Sequence, residues 1–183
     1  MAGYLEAILA EVEPAARAVD EGQIAAFARD LAAAPRVFAT GEGRSGLMAR
    51  AFAMRLMHLG LTVYVVGETT TPALAAGDAL VAVSGSGTTA GTLRVAQQAR
   101  GLGAAVFAVT TDPASALAAL AAHTLVIPAA TKWRRAGEAA SRQPLGSLFD
   151  QCSHLALDAV CLAIAEHEGL SNEAARRRHS NVE

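Results

Sequence analysis

Short, continuous apolar runs recur along this chain, separated by longer segments in which apolar residues return every three or four positions. Residues 36–40 (RVFAT), 61–67 (LTVYVVG), 79–84 (ALVAVS), 104–110 (AAVFAVT) and 124–128 (TLVIP) have strand length and end in glycine, proline or hydroxyl residues. A run without polar alternation belongs to a strand covered on both faces, and such strands occur in parallel sheets with helices above and below. Residues 47–60, 88–103 and 115–123 carry the helical spacing, the first stopped by Gly60. Strand and helix alternate, which predicts an α/β domain: a doubly wound fold with a five-stranded parallel sheet flanked by helices.

The flanks read differently. Residues 4–33 are helical in pattern, with breaks near Pro14 and Gly22, so residues 1–34 are expected to form a helical arm before a single domain at 35–183. Residues 69–78 are a polar connection. The segment 129–142, AATKWRRAGEAASR, is neither apolar nor periodic and carries Lys132, Arg134, Arg135 and Arg142. Two readings stand for it, a basic lid over a ligand or a solvated loop. A long apolar helix is expected over 145–167, and Ser171 suits the N-cap of a last one.

Charge narrows the function classes. With Lys+Arg 15 against Asp+Glu 17, the net charge of -2 gives no general attraction to nucleic acid or to an anionic membrane, so any anion must be caught locally. No uninterrupted apolar run approaches bilayer length, and the first residues lack a secretory pattern, so neither a membrane nor a nucleic-acid partner is expected and the cytoplasm is the expected compartment. Cys152 and Cys161 lie nine residues apart in a helical stretch and read as buried free thiols, with no metal site.

Two loops follow strands with the composition of phosphate sites. GEGRSG (41–46) matches the dinucleotide pattern G-x-G-x-x-G, with Glu68 near the position of a ribose-binding acid, but the chain has no room for the usual substrate domain. The second loop, SGSGTT, places Ser84, Ser86 and Thr89 where the third strand turns into its helix, with Gly85 and Gly87 permitting close backbone approach. Hydroxyls and free N–H groups at a helix start hold a phosphate without a lysine, and Ser45 at the other helix start completes a two-loop cradle. A plain turn with an N-cap is the alternative.

GEGRSG together with SGSGTT resembles the sugar isomerase (SIS) fold. The segments FAMRLMHLGLTVYVVGETTTPAL, QPLGSLFDQ and RRRHSNVE further resemble the 6-phospho-3-hexuloisomerase family, over residues 38–183. The resemblance implies interconversion of D-arabino-3-hexulose 6-phosphate and fructose 6-phosphate by a homotetramer, with no cofactor and no metal. It implies substrate and phosphate binding by Ser45, Ser84, Gly85, Ser86, Gly87, Thr88 and Thr89, and proton transfer by Asp150, the carboxylate after the Phe of PLGSLF.

Two positions depart from the family pattern. Asp150 stands where Glu is usual, retracting the carboxylate by on the order of 1 Å, and Thr88 replaces a common Glu. Such a retraction keeps two other readings open, a second phosphosugar aldose-ketose isomerase and a non-catalytic phosphosugar sensor. His179 is the candidate second proton carrier, entering a neighbour's site from the terminal tail. Arg44 and Glu68 are candidate sugar contacts, against the alternatives of a surface charge and a turn cap.

Overall fold

The computed structural model describes residues 3–135 and 137–182. The apolar runs become strands β1 (Val37–Gly41), β2 (Val63–Val65), β3 (Ala79–Val83), β4 (Ala105–Thr110) and β5 (His123–Val126). All pair in parallel, in the order β2-β1-β3-β4-β5. The helices are α1 (Tyr4–Arg17), α2 (Glu21–Ala32), α3 (Gly43–His58), α4 (Ala90–Gly101), α5 (Ser147–His167) and α6 (Asn172–Arg176). The expected doubly wound α/β architecture is present.

β3 lies at the centre, and all five of its residues are fully buried. Alternate side chains along the strands face two cores. On one side Val37, Ala39, Val81 and Phe107 pack under α2, α3 and α5. On the other, Phe38, Leu80, Ala82 and Val106 pack against Ala96 and Ala99 of α4. Burying each of the larger side chains contributes about 1.5–3 kcal/mol. α5 is the one described helix long and apolar enough to cross a membrane, and Leu148, Phe149, Cys152, Leu157, Val160 and Ile164 bury one face of it in the core shared with α1, α2 and α3. Both cysteines are free and buried, and burial pushes the Cys152 thiol up to about 11 and the Cys161 thiol up to about 12.

Three local expectations are corrected. Pro14 does not break α1; it sits in its last turns, and the break falls at residues 18–20, where Asp20 caps α2 by accepting from the Gln23 N–H at 2.9 Å. Gly22 is therefore inside α2, whose Phe27 meets Phe107 edge-on at 5.0 Å, so this part of 1–34 is built into the core. Residues 115–123 do not form the expected helix, only a 3₁₀ turn at Ala118–Leu120. The Leu117 N–H is spent on the Gly87 carbonyl (3.0 Å) and β5 begins at His123, leaving too few residues to nucleate an α-helix. The GEGRSG loop is also shorter than expected, because α3 already begins at Gly43.

Chain direction across the sheet reverses between β1 and β3, which are neighbours although β2 intervenes in sequence. At such a switch point the two strand ends open a crevice between their loops. Gly41 is in register with Val83, so the loop after β1 and the loop after β3 leave the sheet side by side. At the opposite edge Arg36 grips Asp78 with two hydrogen bonds of 2.9 and 2.6 Å, tying the starts of β1 and β3 together. The Arg36 guanidinium holds the Asp78 carboxyl below its ordinary value.

Candidate active site

The crevice is a cavity of about 410 Å³. Three helices direct their N-termini into it: α3 contributes Glu42–Ser45, α4 is preceded by Gly85, Ser86 and Thr89, and α5 contributes Gly146, Phe149 and Asp150. None of the three is capped by a side chain, whereas α2 and α6, which start elsewhere, are capped by Asp20 and Ser171. Uncapped N-termini leave backbone N–H donors and the positive end of the helix dipole free, the arrangement that receives an anion.

The loop after β3 owes its shape to its own hydroxyls. Ser84 is buried, and its hydroxyl is hydrogen-bonded to that of Thr89 at 2.8 Å. Ser86 Oγ accepts from the Thr88 N–H at 3.3 Å and its hydroxyl at 3.1 Å. Thr110 and Thr111 donate to the Gly85 carbonyl at 3.2 and 2.8 Å. Gly87 turns the chain at φ +61°, and a Cβ there would strike the Ser115 side chain. A Cβ on Gly85 would lie 3.1 Å from the Phe149 ring, which fills the floor.

Opposite this loop, Asp150 occupies the first turn of α5, its side chain 7% exposed. It does not cap its helix. Its Oδ2 accepts instead from Arg44 Nε at 2.7 Å, while the Arg44 side chain stays 63% exposed. The cavity thus joins a nearly buried, ion-paired carboxylate to three anion-ready helix starts.

The segment after β5 forms the remaining wall, through Thr131, Lys132 and Trp133. It is a braced strap. Glu138 accepts from the Thr131 N–H at 2.8 Å and its hydroxyl at 2.7 Å, and Arg134 donates to the carbonyls of Thr131 and Gln143. Glu11 of α1 takes hydrogen bonds from Ser141 Oγ (2.7 Å), the Arg142 N–H (2.8 Å) and Gln143 Nε2 (3.2 Å). Burial pushes the Glu11 carboxyl up, but these three donors together hold it below its ordinary value.

Residues 30–154 match the SIS domain. The chain belongs to the SIS-domain family. The chain is 47% identical over 173 residues to the 3-hexulose-6-phosphate isomerase of Mycobacterium gastri, covering 94% of this chain and 86% of that one. It is 38% identical over 180 residues to the 3-hexulose-6-phosphate isomerase of Bacillus subtilis, covering 98% and 97%. A crystal structure from Methanococcus jannaschii, from which a molecular function of 3-hexulose-6-phosphate isomerase was inferred, superposes with a TM-score of 0.84 at 29% identity, over 98% of each chain.

The SIS domain gathers Arg44, Ser45, Gly85, Ser86, Thr89 and Asp150 around one cavity. Ser84, Gly87 and Thr88 lie behind or beside that wall and shape it. Glu68 is elsewhere: its carboxylate pairs with Arg50 at 3.3 Å, and it does not line the cavity. His179 is also absent from the lining. Its ring stacks on that of His58 at 5.1 Å, and His58 is the last residue of α3, a helix that begins at the cavity and leads away from it for 16 residues. Lining residues that sequence reasoning did not single out are Glu42, Thr131, Trp133, Leu145 and Gly146. One signal was present: the only lysine and the only tryptophan of the chain are adjacent, in the segment that forms this wall.

Proposed function

We propose that the protein interconverts D-arabino-3-hexulose 6-phosphate and D-fructose 6-phosphate through a cis-enediol, in the ribulose monophosphate route of formaldehyde fixation. The two curated relatives carry the name of this activity over nearly the whole chain. The observation that carries the reading in the structure is the Asp150 carboxylate, paired with Arg44, facing helix starts suited to a phosphate.

Moving the carbonyl from C3 to C2 requires removal of the C2 proton, its return at C3, and a change of proton between the two oxygens. Asp150 is the group assigned to the carbon-bound proton: a carboxylate can take it and give it back, and the Arg44 contact fixes where the oxygen points. The Arg44 guanidinium also places positive charge beside the enediolate as it forms. The phosphate is assigned to Ser45, Ser86, Thr89 and the free N–H groups at the start of α4, with Ser84, Gly85, Gly87 and Thr88 holding that loop in shape.

His179 is assigned the oxygen-bound proton from a neighbouring subunit, since within its own chain it rests on His58. This assignment goes with a homotetramer of cytoplasmic subunits whose sites lie near their interfaces. Met54, Met57, Leu155 and Leu162 on the outer faces of α3 and α5 supply exposed apolar surface for such contacts.

The test is a coupled assay in chelator, in which a separate synthase makes the 3-hexulose phosphate from ribulose 5-phosphate and formaldehyde. Fructose 6-phosphate is the expected product. Its absence, with fructose 6-phosphate still bound, would assign the protein to phosphosugar sensing or to the isomerisation of another phosphosugar.

A further inference from the structure

Two cations line the cavity, and they are differently engaged. Arg44 is ion-paired with Asp150. Lys132 has no carboxylate within salt-bridge distance among the described residues; its ammonium lies over the Trp133 ring, 4.9 Å from the centroid. It is the only lysine among the fifteen basic residues of the chain, and Trp133 is the only tryptophan.

The balance of charge makes this cation matter. Glu42, Arg44, Lys132 and Asp150 are the charged lining residues and sum to zero. The opposing loop offers neutral donors, so a phosphate dianion entering the cavity meets no other unpaired side-chain cation. An indole face is a weak partner for an exposed ammonium. A phosphate oxygen is a stronger one.

The base of the lysine is nevertheless held. Thr131 is fixed by Glu138 and Arg134, and the far end of the strap by Glu11. Trp133 N–H donates to Thr131 Oγ1 at 3.2 Å. A flexible stem with a free ammonium therefore projects from a braced backbone at the cavity wall.

We propose that Lys132 is a substrate-binding residue: its ammonium is stored on the Trp133 indole in the empty site and transfers to the phosphate of the bound sugar. The proposal rests on the phosphosugar reading of the cavity and extends it to a residue of the strap. The strap then acts as an electrostatic clamp whose backbone stays in place while one side chain moves.

The experiment exploits the single lysine. The intact protein is treated with an amine-acylating reagent with and without fructose 6-phosphate, inorganic phosphate or fructose, and labelling of Lys132 is separated from that of the N-terminal amine by peptide mapping. Fructose 6-phosphate and, at higher concentration, phosphate are expected to slow labelling of Lys132, and fructose is not. In parallel, calorimetry of Lys132→Met is expected to show affinity for fructose 6-phosphate reduced about tenfold, as for loss of one charge-assisted contact, and Lys132→Arg to recover most of it. Unprotected labelling together with wild-type affinity in Lys132→Met overturns the clamp while leaving the phosphosugar reading intact. Fructose 6-phosphate that fails to bind even the wild-type protein overturns both.

Discussion

Arg44 Nε lies 2.7 Å from Asp150 Oδ2, so the first turns of α3 and α5, 106 residues apart in sequence, are joined inside the cavity by one charged hydrogen bond. The carboxylate is nearly buried and the guanidinium largely exposed. One nitrogen aims the acid, and the rest of the group faces the space a substrate would fill. Asp150→Asn keeps the shape and removes the proton acceptor. Turnover is expected to fall by about 10²–10⁴-fold, with fructose 6-phosphate binding retained in calorimetry; unchanged turnover would remove Asp150 from the mechanism.

The shape of the loop after β3, proposed to bind the phosphate, depends on Gly87, at φ +61° and closed over by Ser115. Gly87→Ala forces a side chain into both constraints, at a cost of order 1–3 kcal/mol from the backbone alone. A thermal melt should show Tm lower by several degrees, and fructose 6-phosphate affinity should fall with it. Wild-type values for both would mean that the loop shape is not what binds the phosphate.

The terminal tail should be released by acid. Burial first, then the charges of Arg55 and His179, hold the His58 imidazole below its ordinary value, with Arg178 also reaching its carbonyl. A depressed histidine contributes stability that is present above its unfolded value and lost as the pH falls, so His58 favours the docked tail above about 6.5 and opposes it below. NMR of the ring protons should show the His58–His179 stack opening as the pH drops from about 7.5 to 5.5. A stack unchanged over that range would contradict this coupling.

The proposed sharing of sites between subunits is open to complementation. Asp150→Asn and His179→Ala proteins, each inactive, should regain about a quarter of wild-type turnover when unfolded and reassembled together, because random mixing in a symmetric oligomer pairs one intact residue of each kind at that frequency. No recovery, in mixtures shown to contain hybrid oligomers, would place the second proton carrier within the chain.

The strand pattern was legible because burial on both faces leaves no polar alternation, and ALVAVS is the clearest case. The turn after β3 was legible as a loop at the cavity because glycine and hydroxyl residues cluster where that strand ends. The failures have a common cause in contacts distant along the chain. Residues 115–123 carry a helical pattern, yet Leu117 bonds to Gly87 instead. Local spacing gives Asp150 no partner, and Arg44 is brought to it from 106 residues away. Trp133 joins the cavity wall because Glu138 and Glu11 hold the strap, and neither partner can be inferred from local spacing. Glu68 was placed by its position after a strand, but Arg50 on α3 takes its carboxylate.

The central claim is that Asp150 shuttles a proton between C2 and C3 of a 6-phosphoketose. Fructose 6-phosphate carrying carbon-13 at C3, followed by NMR, tests it most directly. Wild-type protein is expected to convert the labelled carbinol signal into a carbonyl signal at that carbon, and Asp150→Asn is not. A label that stays a carbinol while an aldose forms at C1, or a conversion that proceeds equally well in Asp150→Asn, would contradict the account.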